Sequence, residues 1–140
     1  MRLADREARA RLAAHDHGIL CTMHAERGVD AVPVVYVVDD DFVGVPVDTV
    51  KPKASLRLQR ERNLEADPRA TLLVEHWDPD DWSRLWWVRA VLQSQSGTDA
   101  ERAAALSARL AERYPQYRDQ PFARVLTLRI VGVTGWAGSS

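Results

Sequence analysis

The stretch AVPVVYVVDDDFVGVPV, Ala31 to Val47, decides the fold. Two runs rich in β-branched residues, Ala31–Val38 and Phe42–Val47, flank the triplet Asp39–Asp41, whose short polar side chains suit a turn. The first run is apolar at consecutive positions, so its pattern places it in a sheet covered on both faces. Pro33 has no N–H to give to a ladder, which points to an edge or an irregular position. Backbone left open there can hydrogen-bond the rim of a heterocycle; the competing reading is ordinary core packing.

Upstream, GILCTMH (Gly18–His24) reads as a strand joined to the first run through AERGVD, whose glycine suits a hairpin loop. Leucine and alanine recur at helical spacing from Leu3 to His15, and Gly18 is placed to close that helix. Downstream, Pro52 and Ser55 can open a second helix. ADPRATLLVEHW then gives a turn and a strand over Ala70–Trp77, and DPDDWSR a loop. In LWWVRAVLQSQ (Leu85–Gln95), Trp86, Val88, Ala90 and Leu92 fall on one face of a strand and Trp87, Arg89 and Val91 on the other. Thr98 with Glu101 forms a capping box before a helix lined by Ala103, Leu106 and Leu110, which Pro115 ends. RVLTLRIVGV and TGWAG supply the closing strand or strands.

The connections are short, which favours antiparallel neighbours, and neither a repeat nor a long linker divides residues 1–140. The expectation is a single domain, mainly β within the α+β class, with six or seven antiparallel strands and about three small helices. A closed or nearly closed barrel is favoured over an open α+β sheet because closure removes exposed edges.

With 140 residues and a formal net charge of -1, the chain can bury a core but carries no overall basic field. Nucleic acid is therefore not an expected partner, and any anion must be met by a local cluster. Cys21 is the single cysteine, which leaves no intramolecular disulfide and suits a reducing compartment. Met1–Leu12 lacks the apolar core of a leader, and Ala31–Val38 is too short to cross a bilayer. A soluble cytoplasmic protein without a membrane partner is expected.

The local cluster is VDTVKPKASLRLQRERN, Val47 to Asn63. Lys51 and Lys53 bracket Pro52 just before a helix start, where free N–H groups and the dipole favour an anion. Arg57 and Arg60 continue along one helical side, and Asn63 adds an amide a turn later. A solvated basic helix paired with Glu61 and Glu65 accounts for the same spacing. The indoles of Trp77, Trp82, Trp86 and Trp87 can wall a slot for a planar ring, although Trp86 and Trp87 point to opposite faces and plain packing is an alternative for each. The triplet HDH (His15–His17) invites a metal, but on a helix two histidines two residues apart diverge, so no metal site is expected. No catalytic triad, glycine-rich phosphate loop or catalytic pair of carboxylates stands out, and no catalytic residue is assigned.

VPVVYVVDDD followed by DTVKPK, then LRLQRERNLEADPRATLLVEHW, DWSRLWWVRA, RYPQY and the closing GW together resemble the pyridoxamine 5'-phosphate oxidase-like split β-barrel family, in particular its branch of deazaflavin-dependent oxidoreductases that use coenzyme F420. The resemblance spans nearly the whole chain. It implies an FMN-binding-like split barrel and a homodimer with two cofactor sites at the interface. It also implies that Lys51, Lys53 and Arg57 hold the cofactor phosphate, with Arg60 and Asn63 as further candidates. Pro33, Val34 and Val35 with Val47, Asp48 and Thr49 would face the ring system, and Trp77 and Trp86 would approach from the partner or cover the pocket. The implied reaction is hydride transfer between reduced F420 and a small enone- or quinone-like molecule; if a proton donor is used, Tyr36, His76 and solvent are the candidates. FMN is the alternative cofactor. A non-catalytic carrier or haem binder, with His76 or Tyr36 as axial ligand, is the alternative from another functional class.

Overall fold

A computed structural model describes residues 1–47, 58–95, 97, 99–119 and 124–139. Its elements are α1 (Asp5–Ala14), β1 (His17–His24), β2 (Gly28–Val35), β3 (Val37–Asp39), β4 (Phe42–Val47), α2 (Gln59–Ala66), β5 (Arg69–His76), β6 (Trp86–Ser94), α3 (Ala100–Arg113), α4 (Gln116–Asp119) and β7 (Arg124–Ala137). The seven strands form one sheet in the order β2-β1-β5-β6-β7-β4-β3, with every pairing antiparallel. The fold is a split β-barrel of the α+β class, as the pattern of short antiparallel runs implied.

Closure comes from the stretch Ala31 to Val47. The run Ala31–Val38 is not one strand: it breaks at Tyr36 into β2 and β3, which lie at opposite ends of the sheet order. The chain thus steps from one edge to the other at a single corner, and this curls the sheet until β2 approaches β4. Tyr36 is wholly buried at that corner and its hydroxyl donates to the carbonyl of Leu12, 2.5 Å away. β2 is not covered on both faces as its apolar run suggested. Val29, Ala31 and Pro33 are exposed, and β2 is an end strand, the position that Pro33 tolerates.

The inner face follows the alternation of side chains. Leu20, Leu72, Val74, Val88, Ala90, Leu92 and Leu128 are buried and pack with Val43, Val45 and, from α1, Ala8 and Leu12. A bulge between β6 and β7 pairs Val91 with Gly132 but Leu92 with Ile130, so Val131 is the extra residue and points to solvent. That shift keeps Gly135 and Ala137 above it, and Leu128 and Ile130 below it, on the inner face despite their different parity. A second cluster, Val37 with Leu106 and Leu110, seats α3 on the β3–β4 corner.

Two helix ends differ from expectation. Gly18 does not close α1; it lies buried in β1, where a Cβ would stand 2.7 Å from the Leu73 carbonyl oxygen, so its role is close packing. The closing is done by other residues. The last carbonyls of a helix lack partners within it, and here Leu12 O receives Tyr36 while Ala13 O and Ala14 O receive the two terminal nitrogens of Arg113 at 3.0 and 2.7 Å. The cap of α3 is Asp99, whose carboxylate accepts from the N–H groups of Glu101 and Arg102; Thr98 lies outside the described residues. In the β1–β2 hairpin, Gly28 takes φ 88°, the turn role expected of it.

Candidate functional site

A cavity of about 310 Å³ opens where β2, β4 and α2 meet. Pro33, Val34 and Val35 line it from β2, Val45 and Pro46 from β4, and Arg60 from the first turn of α2. His17, at the start of β1, and Tyr117, in α4, complete the lining. The volume lies at the low end of the roughly 300–1,000 Å³ typical of small-molecule sites. Among the described residues β2 has one ladder neighbour, β1, and its other edge, toward the cavity, has no strand partner there.

Four residues named from the sequence, Pro33, Val34, Val35 and Arg60, are therefore brought together from two separate stretches. Val47 ends β4 beside this wall but is 1% exposed and turns into the core. Asp48, Thr49, Lys51, Lys53 and Arg57 lie outside the described residues. Asn63 is buried, and its amide donates to Thr22 Oγ1 at 3.0 Å and Asp30 Oδ2 at 2.9 Å while its oxygen accepts from Gln59 at 2.9 Å. Those bonds tie α2 to the β1–β2 hairpin, so Asn63 holds the helix that presents Arg60.

The other anchor of α2 is Glu61, 5% exposed. Its carboxylate accepts from the Leu58 N–H at 3.1 Å and from Arg124 at 2.6 and 2.7 Å. The pair raises the guanidinium pKa of Arg124 and fixes α2 against the start of β7. Neither Glu61 nor Asn63 supports a purely solvated helix over residues 59–66, because both face inward.

Trp77 and Trp86 line a different cavity, of about 410 Å³, with Leu73, Glu75, Leu85, Trp87 and Arg89. Trp77 is 53% exposed and its ring lies 5.7 Å from that of Trp82. Trp86 instead meets His15 edge-on at 5.4 Å and His76 in a stacked arrangement at 6.4 Å, with Arg11 5.3 Å above it. Trp86 and Trp87 do face opposite ways along β6, with Trp86 in register with His76 and Trp87 with Glu75 on β5.

Tyr36 is not placed to donate a proton or to ligate a haem. Burial pushes its phenol pKa up, and its hydroxyl is committed to Leu12. His17 and Tyr117, which sequence reasoning left out, do line the β2 cavity. The divergence expected of His15 and His17 is overturned: α1 stops at Ala14, and the two rings lie 5.2 Å apart. Burial and the neighbouring His17 lower the pKa of His15.

The family model for pyridoxamine 5'-phosphate oxidase matches residues 4–137. Among solved structures, the chain is similar to a conserved hypothetical protein of Mycobacterium tuberculosis, with a TM-score of 0.73, 20% identity and coverage of 97% of this chain and 86% of that one. It is similar to a FAD-binding protein of Mesorhizobium loti, with a TM-score of 0.64, 16% identity and coverage of 96% and 93%. It is also similar to a heme storage protein of Vibrio cholerae, with a TM-score of 0.66, 16% identity and coverage of 95% and 94%. No curated protein sequence gives a significant match. At these identities the structural likeness speaks for the fold. No helix among the described residues is long and apolar enough to cross a membrane.

Proposed function

This chain belongs to the pyridoxamine 5'-phosphate oxidase family, and on that premise we propose that it binds coenzyme F420 and is an oxidoreductase acting on a small enone- or quinone-like molecule. The observation that carries the reading is the meeting of Pro33, Val34 and Val35 with Arg60 around one cavity. These residues stand apart in the sequence, and a cofactor with a planar ring at one end and a phosphate farther along needs that combination.

When bound, a reduced deazaflavin supplies a hydride. The residues of the chain bind it, orient it and keep water away, which suits a cavity without a catalytic triad. The edge of β2 away from β1 offers backbone groups to the rim of the ring, and the apolar side chains of Val35 and Pro46 line the wall its face would meet. Lys51, Lys53 and Arg57 are the proposed phosphate ligands, with Arg60 extending the positive path toward a longer anionic tail. FMN is the second reading, supported by the likeness to a FAD-binding protein.

A homodimer is part of the proposal. Ile19, Leu73 and Val91 are 37%, 36% and 45% exposed on the outer face of neighbouring strands β1, β5 and β6. Val29 and Trp136 extend that apolar face at 61% and 39% exposure. A second copy would cover it.

The test is a fluorescence titration with oxidised F420, with FMN and haem as competitors. Saturable F420 binding that neither competitor displaces supports the reading, while preferential binding of FMN or haem, or binding of none, refutes it. Replacing Lys53 with alanine should weaken F420 binding by about 1.5–3 kcal/mol, roughly 10–150-fold, as expected for a hydrogen bond to a charged group. Arg62→Glu, on the exposed side of α2, should do much less. Equal damage from both would make the cluster a diffuse field instead of a site.

A further inference from the structure

A second site is written into the three residues that follow α1. His15 has an extended backbone, φ −78° and ψ 153°, and His17 begins β1. Side chains two apart on extended chain share a side. The rings accordingly lie 5.2 Å apart, and potential ligand atoms of His15, Asp16 and His17 all fall within 4.8 Å of one another. We propose that His15, Asp16 and His17 bind a late first-row divalent cation, with Zn²⁺ as the representative.

Three further features prepare the triplet for an ion. Asp16 Oδ1 stands 2.6 Å from His17 Nδ1. With the ring proton on Nε2 instead, the Nδ1 lone pair and the Asp16 carboxylate face the same point, where a cation takes the place of the shared proton. The backbone is fixed from outside: Tyr114 donates its hydroxyl to Asp16 O, and Arg113 holds Ala13 O and Ala14 O. His17 and Asp16 are well exposed, with side chains at 70% and 63%, so a hydrated cation reaches them without crossing the core.

The donor set selects the ion. Two imidazoles and one carboxylate suit Zn²⁺, Ni²⁺, Co²⁺ or Cu²⁺, whereas Mg²⁺ and Ca²⁺ prefer oxygen alone. Three protein donors leave room for water or a further anionic group. The segment bridges the two cavities, since His17 lines the one at β2 and His15 touches Trp86 of the other. This inference is independent of the cofactor proposed above.

The experiment is calorimetric titration of the tag-free, flavin-free chain with Zn²⁺, followed by electron paramagnetic resonance of the Cu²⁺ form. One Zn²⁺ per chain, no response to Mg²⁺, and nitrogen coupling from two imidazoles are expected. His15→Ala and His17→Ala should each weaken binding at least about tenfold, and Asp16→Asn by about tenfold. His24→Asn, remote from the triplet and able to accept the Glu26 and Arg27 N–H groups as His24 Nδ1 does, should bind as the parent does. Absence of saturable Zn²⁺ binding, survival of full affinity in His15→Ala and His17→Ala, or an equal loss in His24→Asn would overturn the proposal. Should His15→Ala unfold, the exposed His17 carries the test.

Discussion

Replacing Tyr36 with phenylalanine removes one oxygen and tests the corner that turns a sheet into a barrel. Tyr36 is 0% exposed and its hydroxyl donates to Leu12 O at 2.5 Å. That carbonyl belongs to the last turn of α1, where no helical N–H remains to serve it. The phenylalanine ring keeps the apolar packing, so the change isolates the hydrogen bond and leaves a buried acceptor without its donor. Such a loss costs about 1–3 kcal/mol. With an unfolding entropy of about 2.1 cal/mol/K per residue over 140 residues, each kcal/mol lowers the midpoint by about 3 °C, so a fall of roughly 3–10 °C is expected by calorimetry. F420 affinity should stay unchanged, because the hydroxyl points to α1. A Tm within a degree of the parent would refute the corner bond, and a loss of hydride transfer without loss of stability would return Tyr36 to the role of proton donor.

Three other outcomes follow from the packing and the electrostatics. Leu73→Asp should yield a folded monomer by light scattering, because it sets a charge in the exposed apolar face shared with Ile19 and Val91; an unchanged dimer would put the interface elsewhere, and a monomeric parent would remove the dimer altogether. Gly18→Ala should destabilise the fold by about 1–3 kcal/mol in denaturant titration, since the new methyl would lie 2.7 Å from Leu73 O and 2.8 Å from Val74 Cγ1; a neutral effect would mean that β1 and β5 part at little cost. His15 has a pKa below its ordinary 6.5 because burial, then His17 and, last, His76 disfavour its cation, while Asp16 and Glu75 oppose them. The unfolded chain therefore binds that proton more readily. The contribution is intact above about pH 6.5 and is lost as pH falls through the folded value. His15→Gln should flatten the fall in Tm between about pH 7.5 and 5.5, and a slope equal to the parent's would contradict the assignment.

The strands were legible because each depends on neighbours in sequence. Phe42–Val47 stands where its apolar run predicted, and Trp86, Val88, Ala90 and Leu92 face inward because period-two alternation needs no knowledge of the partner strand. What failed depended on distant groups. Ala31–Val38 reads as one strand, and only the reach of Tyr36 to Leu12 shows why it divides. Gly18 carries the signature of a helix end, yet the closing groups are Tyr36 and Arg113, the latter about a hundred positions away. The β6–β7 bulge was equally hidden, since nothing near Val131 announces that the inner face changes parity there.

The candidate site divides along the same line. Pro33 to Val35 could be singled out because a proline in an apolar run marks an edge, and Arg60 because it belongs to a local run of cations; both assessments use a few adjacent residues. Asn63 belongs to the same run, but its partners Thr22 and Asp30 lie in the first hairpin. A polar residue at helical spacing from Arg60 could face the ligand or the barrel, and tertiary contacts decide. His17 and Tyr117 were missed because no periodic pattern carries a residue at the mouth of a strand or in a four-residue helix. The histidine pair shows how much one local assignment controls. Given helical geometry from Leu3 through His15 and beyond, His15 and His17 point apart; with α1 ending at Ala14, the same spacing brings their rings to 5.2 Å. A difference in backbone over the His15–His17 triplet thus separates a pair of solvated side chains from a donor set, and the helix end that makes the difference is held by Arg113 and Tyr114 of α3 and its cap. Cutting those contacts with Arg113→Ala should therefore loosen Zn²⁺ binding without touching a ligand, which ties the site to the fold that presents it.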